Sequence, residues 1–186
     1  MNPKIILRTA APAAVSLLIS LTAAGRPARA VTVDPACKPG LDAILKQIGT
    51  PTHIYATEVP AHGGKKPEVR ETIYAGGAIY IQIKGQWKRS PISTQDMRKQ
   101  EEENVRNAKS MSCRYLRDEA VNGESAAVYR AQDVTDVGSS DVTLWVSKRT
   151  GLPLRGENDL DTGGGDKMHL SIRYDYAGVK APAGVK

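Results

Sequence analysis

In several short segments after residue 53, apolar residues recur at every second position, and this alternation constrains the fold more than any other feature of the chain. Ile79, Ile81 and Ile83 share one face of a predicted strand, while Tyr80 and Gln82 share the other. The segments 142–147 and 168–176 alternate in the same way. Glycine-containing turns separate these segments, as in β-hairpins. The pattern therefore predicts an antiparallel sheet with one strongly apolar face.

Nine segments carry this strand signal. They are 53–59, 69–74, 78–84, 87–89, 116–121, 124–133, 142–147, 152–160 and 168–176. Asn122-Gly123 is a strong two-residue hairpin turn. The predicted fold class is α+β, with a strongly curved antiparallel sheet of about eight or nine strands and two helices on its concave side. Two helices are few for so many strands, so the sheet either curls into a half-open barrel or leaves a trough for a ligand.

Two segments have helical periodicity instead. Apolar residues at i, i+3, i+4 and i+7 predict a short amphipathic helix over 41–48, ended by Gly49-Thr50-Pro51. A second helix is predicted over 93–112, where Ser93 caps the start and Asp96 completes an S-x-x-D pattern. Oppositely charged residues four positions apart indicate that one face of this second helix is solvated.

The first thirty residues are predicted to be a signal peptide. Lys4 and Arg8 precede an uncharged, mostly apolar run over 9–24, and Ala28-Arg29-Ala30 offers a small-x-small cleavage site at Ala30 or a nearby small residue. An uncleaved anchor is the alternative, although the apolar run is short. We therefore expect a periplasmic or secreted protein with one domain over 31–186, of which 177–186 is a loose tail, and no integral membrane span after cleavage.

Charge argues against nucleic acid as a partner. Four of the 26 basic residues and none of the 20 acidic residues lie in the first thirty positions, so the net charge of +6 falls to +2 over 31–186. That part of the sequence has no long basic stripe with interleaved aromatic residues. We expect no nucleic-acid binding.

The only two cysteines, Cys37 and Cys113, both lie in the predicted mature domain. In an oxidising compartment such a pair predicts one disulfide. Two free thiols, or a redox pair, are the alternatives, and the sequence has no C-x-x-C motif that would favour the latter.

Residue patterns typical of catalysis, metal binding or cofactor binding are absent from the sequence. Three histidines have no metal-ligand spacing: His53, His62 and His169. Asp159, Asp161 and Asp166 surround the glycines at 163–165, but the twelfth position of a calcium loop would be Leu170, which cannot ligate. We therefore expect no enzyme and no cofactor.

One hairpin motif carries a family resemblance. The run Thr143-Leu144-Trp145-Val146-Ser147, followed by a turn and Thr150-Gly151-Leu152-Pro153, resembles a hairpin of the periplasmic lipoprotein-carrier superfamily, which includes the LolA, LolB, LprG and RseB types. The segment Arg173-Tyr174-Asp175-Tyr176, followed by Val179 and Pro182, is similar to its closing strand. The resemblance implies a half-open, apolar barrel with helices as a lid, in which carriers hold acyl chains and sensors bind lipoproteins or partner proteins.

The leading hypothesis is an exported, non-enzymatic domain that binds a hydrophobic ligand or a lipid or lipoprotein acyl chain in the concave face. Nine residues are predicted to line the site: Ile79, Ile81, Ile83, Val142, Leu144, Val146, Leu170, Ile172 and Tyr174. For each of them an ordinary packed core is the alternative interpretation. The alternative function is an envelope interaction or sensor module without a small ligand, which would have a filled interior and an exposed apolar patch.

Overall fold

A computed structural model describes residues 34–60, 66–135, 138–162 and 167–185. The predicted leader at 1–30, His62 and Asp166 lie outside these residues. A short 3₁₀ turn, Pro35–Cys37, leads into helix α1. The elements are α1 Lys38–Ile48, β1 Thr52–Pro60, β2 Glu68–Ala75, β3 Ala78–Ile83, β4 Gln86–Ser93, α2 Thr94–Asn107, β5 Ser110–Val121, β6 Glu124–Val134, β7 Ser139–Ser147, β8 Pro153–Asp161 and β9 Lys167–Asp175.

All nine strands form one antiparallel sheet in the order β4-β3-β2-β1-β9-β8-β7-β6-β5. The first four strands form one meander and the last five another, and β1 joins them by pairing with β9. Strands β4 and β5 are the two edges, and α2 connects them along the chain. The sheet is not closed, so the predicted α+β half-open barrel is confirmed.

Helix α1 packs on the concave face and reaches strands from both halves of the sheet. Ala43 packs against Leu144 and Val146 of β7. One turn later Ile48 packs against Tyr74 of β2 and Ile79 of β3. This amphipathic helix buries its apolar face on the sheet, as its periodicity predicts. None of the helices in the described residues is long and apolar enough to cross a membrane.

Helix α2 begins where the sequence predicts but ends five residues earlier. The Ser93 hydroxyl accepts from the Asp96 amide (3.1 Å), and the Asp96 carboxylate accepts from the Ser93 amide (2.9 Å), forming a capping box. These hydrogen bonds lower the pKa of Asp96. The prediction that the helix continues to 112 is wrong, because residues 110–113 pair with 131–134 of β6. Strand pairing outweighs the weak helical pattern of this segment.

A second, smaller core lies on the convex face. Trp145 alternates with Leu144 and Val146 along β7 and therefore faces away from α1. It is only 6% exposed, because it packs with Ala126 and Val128 of β6. Leu116, Val121 and Leu154 pack around this group. The sheet thus carries apolar clusters on both faces rather than on one.

Replacing either of two glycines by alanine should have opposite effects on stability, because one glycine lies in a turn and the other in a strand. Gly123 follows Asn122 in the β5–β6 turn, and both have positive φ (82° and 51°). Gly156 has no positive φ, and a Cβ there would lie 3.7 Å from side-chain atoms of Ile172 and Leu144, an ordinary contact distance.

We expect Gly123→Ala to lower the free energy of unfolding by about 1–2 kcal/mol, because alanine is strained at that φ. Gly156→Ala should leave it unchanged or raise it by up to about 1 kcal/mol, because alanine restricts the unfolded chain. Urea unfolding of both variants measures the difference. Equal destabilisation by the two substitutions would contradict this account.

Candidate ligand-binding site

A cavity of about 630 Å³ lies between the two helices and strands β5–β8. Helices α1 and α2 and the loops beside them contribute Ala36, Cys37, Gly40, Leu41, Ile44, Glu101, Asn104, Val105, Asn107 and Ala108. The sheet contributes Met111, Cys113, Tyr129, Ala131, Asp133, Thr135, Ser140, Val142, Leu144 and Asn158. The cavity therefore occupies the half of the concave face that α1 does not fill.

Small residues leave this space open. Gly40, Ala108 and Ala131 stand on three different walls, where larger side chains would fill a conventional core. Ala108 is almost fully buried, at 2% exposure, although it has no large apolar neighbour in the buried clusters. The volume is within the range of small-molecule sites, about 300–1,000 Å³.

The cavity changes from apolar to polar along the strands. On neighbouring strands β6 and β7, Tyr129 pairs with Leu144 and Ala131 with Val142. The next pair on the same face is Asp133 with Ser140. The wall therefore becomes polar within two steps along the strands, which is the profile of a site for an amphiphile.

A disulfide forms part of one wall. Cys37 and Cys113 are bonded, with an S–S distance of 2.01 Å and a separation of 76 residues, so the predicted pairing is confirmed. The bond joins the turn before α1 to the edge strand β5. It therefore holds α1 over the concave face beside the cavity.

The polar end holds carboxylates and no described basic residue. The hydroxyl of Ser140 donates to the Asp133 carboxylate. Burial raises the pKa of Glu101, and the charge of Asp133 raises it further, while a hydrogen bond with Asn104 opposes them. Asn158 lies one step further in, opposite Val142, and its buried side-chain oxygen has no hydrogen-bond partner among the described residues. The polar end and the position next to it therefore present several hydrogen-bond acceptors.

The structure brings together only part of the predicted ligand-binding set. Val142 and Leu144 line the cavity. Ile79 and Val146 are buried against α1, and Ile81 packs beside Ile79.

The other predicted residues lie apart from the cavity lining. Ile83 is 47% exposed at the end of β3. Leu170, Ile172 and Tyr174 share one face of β9, which pairs with β1 and β8. Burial raises the pKa of the Tyr174 hydroxyl. These three residues belong to the middle of the sheet, beside the cavity rather than around it.

Sequence reasoning missed the residues contributed by β5, β6 and α2. Tyr129 and Ala131 follow the alternation of β6, so their shared face was readable from the sequence. Met111 was placed in the predicted helix over 93–112, which concealed that it shares a face of β5 with Cys113. Nothing in the local pattern of α2 distinguishes Glu101 from its neighbours Glu102 and Glu103.

His53 and His169 lie on the convex face, away from the cavity. The Nε2 of His53 contacts a Glu71 carboxylate oxygen at 2.8 Å. The two ring nitrogens of His169 contact Asp159 at 2.7 Å and Glu157 at 2.9 Å, and these carboxylates raise its pKa. The two rings do not meet across the sheet. Within the described ranges there is no cluster of three or more histidine, cysteine or acidic residues that could hold a metal ion.

A second, more open groove of about 730 Å³ lies at the ends of β5–β9. Most of its lining residues are polar or charged, and they include Asp141, Asp159, Lys167 and His169. Such a lining suits solvent better than an apolar chain. The cavity beneath the helices is therefore the candidate ligand site.

No protein-family model matches this chain, and no curated protein matches it either. Solved structures with a similar arrangement include the Mycobacterium tuberculosis lipoprotein LppX, at 11% sequence identity and a TM-score of 0.42. The match covers 82% of this chain and 100% of the LppX chain. LprF from Mycobacterium bovis matches at 8% sequence identity and a TM-score of 0.37, and the match covers 83% of this chain and 98% of the LprF chain.

A LolA superfamily protein from Nitrosomonas europaea matches at 10% identity and a TM-score of 0.28, covering 82% of this chain and 96% of that one.

Proposed function

We propose that this protein is an exported binding domain that holds the acyl chain of a lipid or lipoprotein in the cavity beneath α1 and α2. The observation that carries the proposal is the unfilled cavity of about 630 Å³ with an apolar inner end. Each methylene group moved from water into such a site contributes about 0.8 kcal/mol. An acyl chain lying along Leu144, Val142 and Tyr129 would gain this term at every carbon.

Export is supported by two features of the chain. The sequence of 1–30 has the charge and hydropathy of a leader. The Cys37–Cys113 disulfide is of the kind that persists in an oxidising compartment. A periplasmic or secreted binding protein has both.

The cavity can be filled without disturbing the rest of the sheet. Ala131 lines it, while the next residue of β6, Gln132, is exposed on the other face. We expect Ala131→Phe to weaken binding of the neutral fluorescent probe N-phenyl-1-naphthylamine about a hundredfold, because the ring takes the space of the ligand. Gln132→Phe, which adds a ring to the same strand, should leave binding unchanged.

Probe fluorescence titration measures both variants, and circular dichroism confirms that they fold. Native mass spectrometry of protein purified from its own periplasm should show a co-purified lipid mass. Undiminished probe binding by Ala131→Phe would place the ligand elsewhere. Repeated absence of both lipid and probe binding in the natural sequence would overturn the proposed function.

The alternative, a protein-interaction module without a small ligand, stays a prediction. It requires a contiguous exposed apolar patch. Six large apolar side chains in the described residues are exposed, and each lies on a different strand, from β1 to β6: Val59, Val69, Ile83, Ile92, Tyr115 and Val134.

A further inference from the structure

The polar end of the cavity defines the kind of head group that a bound amphiphile can carry. Glu101 reaches the cavity from α2, and Asp133 reaches it from β6 on the opposite wall. The described residues that line the cavity include no lysine, arginine or histidine. Two carboxylates thus face one space without a basic residue in its described wall.

The two arginines of α2, which are close in sequence to Glu101, do not line the cavity. Arg106, in the last turn of α2, lies 3.8 Å from Glu103, an exposed carboxylate outside the cavity. Arg98, on the same helix, donates to the backbone carbonyl of Leu45 at 2.5 Å. Neither guanidinium is placed to neutralise Glu101 or an anionic ligand.

Asn158 adds a third hydrogen-bond acceptor to the cavity wall. Asn158 lines the cavity from β8, and its side-chain oxygen is buried without a partner among the described residues. A buried acceptor without a donor costs free energy, so a ligand that supplies the donor is favoured. The raised pKa of Glu101 has a related cause, since burial and Asp133 both disfavour its charged form.

We propose that the ligand is an amphiphile whose head group donates hydrogen bonds and carries no net negative charge, with its tail at the Tyr129–Leu144 end and its head between Glu101 and Asp133. The inference rests on the proposed function, because it requires that the cavity accept an apolar tail. Ammonium and hydroxyl head groups both have this chemistry. A free fatty acid or an anionic phosphate head is repelled by both carboxylates.

Three amphiphiles that each carry a dodecyl tail test the head group alone. Dodecylamine, dodecyl maltoside and tridecanoate compete with N-phenyl-1-naphthylamine at pH 7.5, below their critical micelle concentrations. We expect dodecylamine and dodecyl maltoside to displace the probe at concentrations about tenfold or more below that of tridecanoate. Whether dodecylamine or dodecyl maltoside binds more tightly distinguishes a cationic head group from one that carries hydroxyl groups.

Matched variants test whether the Glu101 and Asp133 carboxylates cause this difference between head groups. The double substitution Glu101→Gln and Asp133→Asn keeps the shape of both side chains and should reduce the difference between dodecylamine and tridecanoate to less than about threefold. The control is Glu103→Gln with Asp118→Asn, which removes the same charge from two exposed carboxylates outside the cavity. It should retain the full difference.

The results distinguish the two proposals. Tridecanoate binding as tightly as dodecylamine, or a difference that survives Glu101→Gln and Asp133→Asn, would overturn the head-group inference while leaving acyl-chain binding intact. Failure of every amphiphile and of the probe to bind would instead overturn the proposed function.

Discussion

Replacing both cysteines, as Cys37→Ala with Cys113→Ala, is expected to lower the free energy of unfolding by about 4 kcal/mol. The bond closes a separation of 76 residues, so its loss greatly increases the conformational freedom of the unfolded chain. A decrease of this size is a large part of the stability of a typical domain, about 5–15 kcal/mol. Guanidinium denaturation followed by circular dichroism measures it.

The position of the bond gives this substitution a second effect. Cys37 is 1% exposed and immediately precedes α1, while Cys113 lies in the edge strand β5. Without the bond, the N-terminal end of α1 is held by packing alone, so probe binding in the cavity should weaken. The reduced natural protein is the control and should behave like the double variant. A loss of stability below about 1 kcal/mol would contradict a structural role for the disulfide.

Removing Trp145, the more buried of the two tryptophans, should be comparably destabilising. Trp145→Ala is expected to lower the free energy of unfolding by about 3–5 kcal/mol, because it empties the centre of the convex core around Val128 and Ala126. The guanidinium of Arg155 lies 4.7 Å from the centroid of the Trp145 ring, and this cation–π contact is lost as well. Urea unfolding of the variant measures the change.

Trp87 offers the matched control. It lies on β4, an edge strand, and is half-exposed, with an edge-on contact to His53 at 5.9 Å between ring centroids. Trp87→Ala removes the same side chain from a site with few neighbours, so its cost should be under about 1.5 kcal/mol. Similar losses in the two variants would show that the convex cluster around Trp145 is not a core.

Much of the fold could be predicted from local patterns. Alternation placed Ile79 and Ile81 on one face, and Asn122-Gly123 fixed the β5–β6 turn, because both signals depend on residues close in sequence. Ser93 and Asp96 located the start of α2 for the same reason. The end of α2 was misplaced because its boundary depends on pairing with β6, which is distant in sequence.

The candidate site was less predictable than the fold. Val142 and Leu144 were predicted to lie on the concave face, and the structure places them in the cavity wall. Ile79 carries the same alternation signal, yet α1 covers it. Periodicity reports which face a side chain occupies, but it does not report where a helix will lie on that face.

The sequence by itself determined the strand alternation, the hairpin turns, the helix cap and the presence of a cysteine pair, since each follows from neighbouring residues or from composition. Only the tertiary structure decided which half of the concave face α1 fills and which half stays open. It also decided that Glu101 and Asp133 face the same cavity and that Trp145 is buried on the convex side. The physical reason is that strand pairing and helix docking join residues far apart in sequence, and their contacts depend on the twist and curvature of the whole sheet.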